Sequence, residues 1–272
     1  MANPFLLSEL YIYPIKSLGG VSVQQAFVTE RGLQHDRRWM LIDETGRFLT
    51  QREHPLMALL QVEIGANELI ISHKKEAVAP LEVPFETPLG DRVPVQIWDD
   101  EVEAHLLSEE FDVWFTNAIG FPCSLVYMPD DSFRKVDADY ARNQEITSFS
   151  DAYPFLLIGQ SSLDDLNTRL EKPVPINRFR PNLVFSGGLP YEEDTFHEFW
   201  VGTNQFFGVK PCARCVLTTV DQATAQKGKE PLRTLATYRT KNNKVLFGQN
   251  LLPGTLGIIR VGDEIEVMSR RS

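Results

Sequence analysis

Short runs in which apolar and polar positions alternate recur along most of the chain, and this period of two predicts β-strands. Runs of this kind are FLLSELYIY (5–13), VSVQQAFV (21–28), VPVQIW (93–98), SLVYM (124–128), CVLTTVD (215–221), VLFGQNLL (245–252) and VGDEIEV (261–267). Two more pairs of apolar runs flank polar turns at residues 44–46 and 65–67, and each pair predicts a hairpin.

Helical spacing of apolar residues is confined to three segments. Between Ser108 and Gly120 the apolar side chains fall on one face, with the serine as N-cap and the glycine beyond the end. The segment 161–173 has leucines on one stripe, a serine cap in front and Pro173 as its stop. A short third helix is expected at 231–239, where proline lies in the first turn.

Many short strands with few helices predict a mixed, β-rich fold, made of β-barrel or folded-sheet modules with inserted helices. A length of 272 residues suits one large or two medium domains. A boundary near residue 125, after the helix that contains Trp114, is consistent with this pattern, although no linker composition marks it.

Composition narrows the classes of function. Lysine and arginine total 27 against 37 acidic residues, a net charge of −10, which argues against a nucleic-acid binder but leaves room for one basic pocket. No stretch approaches about 18 uninterrupted apolar residues and the first residues lack a basic n-region, so neither a membrane span nor a signal peptide is expected. Three cysteines are too few for a disulfide framework, so a reducing, cytoplasmic setting is expected.

The segment PCARCVLTTVD (211–221) contains the cysteine pair Cys212 and Cys215, whose spacing is typical of a redox dithiol or of half a zinc site. No second CxxC and no paired histidines complete a zinc site. A redox dithiol normally begins a helix, whereas the residues after Cys215 have a strand pattern. Two buried structural thiols remain an alternative. Arg214 favours a thiolate nearby, so Cys215 is also a candidate ligand for a metal whose other ligands come from a cofactor.

Three polar segments next to predicted strands carry cations that an anionic ligand requires. Lys16 and Ser17 lie between a strand and two glycines, in a position to bind an anion. The segments HDRRW (35–39) and NRFRPN (177–182) each place two arginines before a strand. Ordinary ion pairs explain such arginines equally well.

Five blocks of sequence together resemble one family of proteins. The blocks are LYIYPIKSLGG, GLQHDRRWMLID, SSLDDLNTRLEKPVPINRFRPNLVFSG, PCARCVLTTVD and LFGQNLL followed by IRVGDEIEV. In this order they are similar to MOSC-domain proteins with an N-terminal MOSC β-barrel domain, in particular the mitochondrial amidoxime-reducing components and their bacterial relatives. The resemblance implies two β-barrel-like domains with a few inserted α-helices: a MOSC N-terminal domain at residues 1–125 and a MOSC domain at 126–272.

The resemblance also implies a molybdenum cofactor (Mo-molybdopterin) held between the two domains, with Cys215 as catalytic metal ligand. The residues it assigns to cofactor binding are Lys16, Ser17, Arg37, Arg180, Arg214 and, on a weaker match, Asp151. Cys212 is then expected to be a buried structural thiol. Ala213 departs from the family, where a serine lies between the cysteine and the arginine.

The implied activity is reduction of a small N-hydroxylated (N-oxygenated) substrate by a molybdenum-containing oxidoreductase. The alternative is a MOSC module without reductase activity that binds or carries the cofactor or handles sulfur, as in molybdenum cofactor sulfurases. A third possibility is a nonenzymatic two-domain β protein with a small-molecule pocket. Because the sequence ends at Ser272 with no cysteine cluster, no fused ferredoxin domain is expected, and electrons are expected from a separate donor protein. No nucleic-acid or membrane partner is expected.

Overall fold

Strands account for 41% of the computed structural model and helices for 15%, which confirms the prediction of a β-rich fold. The structure describes residues 4–271. The first half contains β1 Phe5–Ile12, β2 Val21–Val23, β3 Gln25–Thr29, β4 Gly32–Leu33, β5 Trp39–Ile42, β6 Leu60–Ile64, β7 Glu68–His73, β8 Leu81–Pro84, β9 Arg92–Ile97, β10 Asp100–Leu106, α1 Glu109–Ile119 and β11 Ser124–Tyr127. The second half contains β12 Arg134–Lys135, β13 Ile146–Thr147, β14 Phe155–Gly159, α2 Gln160–Thr168, β15 Leu183–Ser186, β16 Phe196–Val201, β17 Asn204–Ala213, α3 Leu232–Ala236, β18 Thr240–Lys241, β19 Lys244–Pro253, β20 Gly257–Arg260 and β21 Glu264–Arg270.

Seven strands close into a barrel in the order β14-β15-β1-β21-β16-β17-β19, and β19 pairs back onto β14. All neighbours are antiparallel except β14 and β15. The interior of this barrel is apolar, and five of its phenylalanines are almost fully buried: Phe155, Phe185, Phe196, Phe199 and Phe206. Each buried ring contributes roughly 2–3 kcal/mol by removing apolar surface from water. Closure leaves few unpaired strand edges.

The first strand of the chain belongs to this barrel, between β15 and β21. Leu10 pairs with Leu183, and Phe5 pairs with Ile265. Farther on, β3 pairs with β20 near the end of the chain. The predicted division at residue 125 is therefore not a clean spatial division, because the beginning of the chain lies in the barrel of the second half.

The rest of the first half packs around two further apolar cores. The three-stranded sheet β6-β7-β8, helix α1 and one face of β5 and β11 surround the first, and α1 packs against β8 and β11. The other face of the four-stranded sheet β5-β11-β10-β9 covers the second core. The predicted ends of α1 are confirmed, because the hydroxyl of Ser108 accepts a hydrogen bond from Glu110 N and Gly120 ends the helix in the left-handed conformation. The hairpin with its turn at 65–67 is also confirmed as β6 and β7.

The second helix differs from its prediction at both ends. Its N-cap is Gly159 rather than a serine. The hydroxyl of Ser162 donates instead to the buried carboxylate of Glu193 at 2.8 Å, and the other oxygen of this carboxylate accepts from Gly159 N at 3.2 Å. A distant carboxylate thus replaces the local cap. The helix ends at Thr168, well before Pro173.

The segment after Cys215 is a 3-10 turn over Val216–Thr219, so the predicted strand there is wrong. The hydroxyls of Thr218 and Thr219 donate to the carbonyls of Cys215 and Val216 at 3.0 and 2.7 Å. These bonds satisfy the turn locally, which is how threonine competes against extended structure despite its β-branched side chain. Across residues 4–271 no helix has the length and apolar character needed to cross a bilayer.

Candidate functional site

One pocket of about 260 Å³ contains every residue that the family resemblance assigns to the site, whereas Arg38 and Arg178 of the same segments do not line it. The assigned residues are Lys16, Ser17, Arg37, Asp151, Arg180, Arg214 and Cys215. They lie in loops at strand ends. Lys16 and Ser17 follow β1, and Arg214 and Cys215 follow β17. Arg37, Asp151 and Arg180 precede β5, β14 and β15, respectively. The pocket is consequently lined by both halves of the chain.

Three of these residues have a left-handed backbone, with φ of 68° at Ser17, 50° at Arg37 and 56° at Arg180. For residues other than glycine this conformation costs about 1–2 kcal/mol each. Specific contacts hold it in place: Gln51 Nε2 donates to the carbonyl of Ser17 at 2.5 Å, and Arg37 N donates to the carbonyl of Tyr13 at 2.8 Å. Strain concentrated in one pocket is typical of a functional site.

Two guanidinium groups contact the ring of one tyrosine. Arg37 lies 4.4 Å and Arg180 4.3 Å from the ring centroid of Tyr13. Arg37 is neutralised by Asp36, which accepts from its Nη1 at 2.5 Å. Arg180 donates through Nη1 to the carbonyl of Leu18 at 2.6 Å. Burial lowers the pKa of Arg180 to about 10 and raises the pKa of Tyr13 to about 12.

Arginine N–H groups in this pocket remain without a partner. Arg180 Nη2 and Arg214 Nε are buried and have no hydrogen-bond acceptor among residues 4–271. Arg214 Nη2 donates to the carbonyl of Phe179 at 2.6 Å, so its guanidinium is oriented. Unpaired buried donors on cations are costly, and an anionic ligand would satisfy them.

Asp151 joins two cations at the pocket wall. Its Oδ1 lies 2.6 Å from Lys16 Nζ, and its Oδ2 lies 3.0 Å from Nη2 of Arg52. Burial lowers the pKa of Lys16 to about 8, although Asp151 partly opposes this. Burial alone raises the pKa of Asp151, but Lys16 and Arg52 outweigh it and hold that pKa well below its usual range. The carboxylate therefore stays ionised.

A buried arginine holds the loop that carries Asp151. Arg134 donates to the carbonyls of Ser148 at 3.2 Å, of Ser150, and of Asp151 at 3.0 Å. Its Nε also donates to Asp100 at 2.7 Å. Arg134 therefore fixes the backbone from which the carboxylate enters the pocket.

The two cysteines of the CxxC segment have different partners. Cys215 Sγ accepts from Arg52 Nε at 3.2 Å, whereas Cys212 Sγ accepts from Arg214 Nη1 at 3.1 Å. Arg214 therefore contacts the thiol of Cys212 rather than that of Cys215, because residues two apart on an extended segment share a face. Both thiols line the pocket, both are free, and each accepts from a different arginine. Cys212 is half-buried rather than buried.

A zinc site has no support, since within residues 4–271 no three His, Cys, Asp or Glu side chains come together to hold a metal. The pocket is instead cationic. Its charged lining consists of Lys16, Arg37, Arg180, Lys210, Arg214 and Lys244 against the single carboxylate Asp151. In a chain of net charge −10, this local excess of positive charge points to an anionic ligand.

Sequence reasoning missed Arg52, Lys210 and Lys244. Arg52 comes shortly after the run GRFLT (46–50), as Arg37 comes just before β5, so the same signal of a cation beside a strand was present. Its contact with Cys215 joins residues 163 positions apart, which no local pattern indicates.

Two family profiles match the chain, "MOSC N-terminal beta barrel domain" over residues 4–122 and "MOSC domain" over residues 144–266. Mitochondrial amidoxime-reducing component 1 of Mus musculus is 34% identical over 97% of this chain and 82% of its own length. The Homo sapiens protein of that name is 33% identical over 97% of this chain and 83% of its own length. Molybdenum cofactor sulfurase of Oryza sativa subsp. japonica is 34% identical over 89% of this chain but only 32% of its own length.

Proposed function

The chain belongs to the family of MOSC-domain proteins with an N-terminal MOSC β-barrel domain, and from that premise we propose that it is a molybdenum cofactor-dependent reductase of N-hydroxylated compounds. In this proposal the pocket described above binds the cofactor, and Cys215 is the protein's ligand to the metal. The observation that carries it is a thiol lying in the same pocket as buried guanidinium N–H groups that lack a partner.

The residues present fit the molybdenum cofactor on two counts. The cofactor carries a phosphate, and Arg180 and Arg214 offer it buried, unpaired N–H donors. A sulfur ligand suits a soft donor set completed by the cofactor, and Cys215 offers one thiol with an oriented arginine beside it. When bound, the cofactor supplies two-electron redox chemistry at its metal.

The protein's own residues then perform two tasks. Lys16, Arg180 and Arg214 neutralise and orient the anionic part of the cofactor. Asp151 remains ionised and keeps Lys16 and Arg52 in place. The net reaction consumes one N–OH group, two electrons and two protons, and releases the N–H product and water. A separate donor protein supplies the electrons, and the substrate is a small N-oxygenated molecule.

The test begins with the protein produced in cells that make the cofactor. Molybdenum is measured by elemental analysis, and pterin by the fluorescence of its oxidation product. Stoichiometric amounts of both are expected, followed by N-reduction of an amidoxime with a reduced viologen as artificial donor. Protein that is folded yet holds neither molybdenum nor pterin would refute the proposal.

A second function has a specific observation in its favour, since the rice sulfurase matches this chain at 34% identity, as the mouse amidoxime-reducing component does. A cofactor carrier needs the same pocket residues. The two functions separate in the assay above: a carrier holds molybdenum and pterin but does not turn over an amidoxime with the artificial donor.

A further inference from the structure

Arg52 makes the one side-chain hydrogen bond to the Cys215 thiol found in residues 4–271. Its Nε donates to Sγ at 3.2 Å while its Nη2 donates to Asp151 Oδ2 at 3.0 Å. Its side chain is only 14% exposed. A single planar fork therefore connects the thiol of the second half to the carboxylate that also binds Lys16. Arginine presents these two donors in a rigid planar fork, whereas the ammonium of lysine is a compact charge on a flexible stem.

An aromatic platform fixes the orientation of this fork. The Arg52 guanidinium lies 4.3 Å from the ring centroid of Trp98, which in turn contacts Phe48 at 5.1 Å. Trp98 is the first residue of a two-residue hairpin loop between β9 and β10 and has φ of 56°. Glycine normally occupies that position, because bulky side chains rarely adopt a left-handed backbone.

An exposed tryptophan at a strained turn needs a reason. Trp98 is 43% exposed, so burial of apolar surface explains little of its placement. What Trp98 does is cover one face of the Arg52 guanidinium, which restricts the plane of the fork and shields its charge from water. The strained backbone at Trp98 therefore places the ring where it orients the Arg52 guanidinium.

We propose that Arg52 is a positioning residue that holds the Cys215 sulfur for metal binding, with Trp98 and Asp151 holding Arg52 in turn. This inference rests on the proposed function and deepens it. Outer-shell donors to metal ligands fix the ligand's orientation, and their loss typically lowers metal affinity by about 10- to 100-fold. Because Arg52 faces the sulfur while Arg180 and Arg214 carry the unpaired N–H donors, losing Arg52 should release the metal and spare the pterin.

The experiment measures the molar ratio of molybdenum to pterin in purified protein, wild type against Arg52→Gln, Arg52→Lys, Trp98→Ala and Trp98→Phe. Both Arg52 variants are expected to retain pterin but to bind molybdenum about 10- to 100-fold more weakly. Arg52→Lys is expected to bind molybdenum weakly because lysine keeps the positive charge but lacks the planar pair of donors. Trp98→Ala is expected to change the ratio in the same direction, and Trp98→Phe to preserve it. The visible absorption of the remaining bound metal is expected to shift in the Arg52 variants, because the sulfur loses its hydrogen bond.

Arg47→Gln is the matched control. Arg47 also follows β5 and pairs with an acid, Glu53, but its side chain is 54% exposed and contacts neither Cys215 nor Asp151. It is expected to leave the ratio and the spectrum unchanged. A merely structural role of Arg52 would lower the melting temperature with no change in the ratio or the spectrum, and that result would overturn the inference.

If Arg52→Gln fails to fold, Arg52→Lys decides, and a wild-type ratio in that variant overturns the inference. The proposed function fails separately: wild-type protein that contains neither molybdenum nor pterin refutes the function and the inference together. Loaded wild type beside unchanged Arg52 variants refutes the inference alone.

Discussion

Replacing Arg180 by methionine is expected to weaken binding of an anionic cofactor while leaving the cofactor-free protein about as stable as before. Arg180 is 8% exposed and has no carboxylate within 4 Å among residues 4–271. Methionine is unbranched and flexible, so it fills the channel beside Tyr13 without a large void. Replacing buried ionic groups by apolar residues of similar size is often neutral or stabilising.

The expected magnitudes follow from the contacts of Arg180. Its charge-assisted bond to the carbonyl of Leu18 contributes about 1.5–3 kcal/mol, and its contact with the Tyr13 ring about 1–2 kcal/mol. Against this, burial lowers its pKa from 12.5 to about 10, a penalty of about 3 kcal/mol. The two sides nearly cancel, so the melting temperature of the cofactor-free protein should move by no more than about 5 °C. With an anion bound, loss of the guanidinium costs about 2–5 kcal/mol, or roughly 30- to 5,000-fold in Kd.

The assay pairs thermal unfolding of cofactor-free protein with equilibrium dialysis of a phosphorylated pterin. Arg178→Met is the matched control, because Arg178 is equally buried but donates to the carbonyls of Thr218 at 2.8 Å and Glu230 at 3.1 Å. We expect that control to lower the melting temperature and to leave affinity per folded molecule unchanged. A drop of more than about 10 °C for Arg180→Met, with no loss of affinity beyond that of the control, would refute the reasoning.

Three further predictions concern other residues. Cys215→Ala should lose molybdenum and N-reduction while remaining folded. Cys212→Ala should lower the free energy of unfolding by about 1–2 kcal/mol and keep its activity. Equal loss of N-reduction in both variants would contradict this prediction. Because the pKa of Lys16 is about 8 in the ligand-free protein, its positive charge is lost as the pH rises through 8. The affinity for pterin, measured by dialysis, should therefore fall between pH 7 and 9. A flat pH profile identical to that of Lys16→Arg would rule this out. Burial raises the pKa of Glu193 to about 7 from 4.5, so its neutral form favours the fold; that contribution, at most about 3 kcal/mol, is fully present below pH 4.5 and lost as the pH rises through 7. The difference in melting temperature between wild type and Glu193→Gln should therefore change over that range, and a constant difference would contradict the assignment.

Much of the fold followed from local pattern. The alternating runs at β1, β19 and β21 became strands, and α1 begins and ends where its serine cap and terminal glycine predict. These predictions succeeded because each depends on side chains within a few residues. The errors at α2 and after Cys215 have the opposite origin: a distant carboxylate replaces the cap of α2, and threonine hydroxyls close a turn where branching predicts a strand.

The candidate site shows the same division between what local sequence determines and what the tertiary structure decides. The sequence by itself determined which residue types were available: a thiol next to an arginine, a lysine-serine pair, and arginines before strands in an otherwise acidic chain. Only the tertiary structure decided which cation meets which sulfur, since Arg52 reaches Cys215 across 163 positions while the adjacent Arg214 turns to Cys212. It also decided which cations keep an unpaired N–H group, because Arg37 pairs with the buried carboxylate Asp36, whereas Arg180 Nη2 has no acceptor among residues 4–271. Pairing and desolvation depend on distances in space, and local sequence pattern carries no record of those distances.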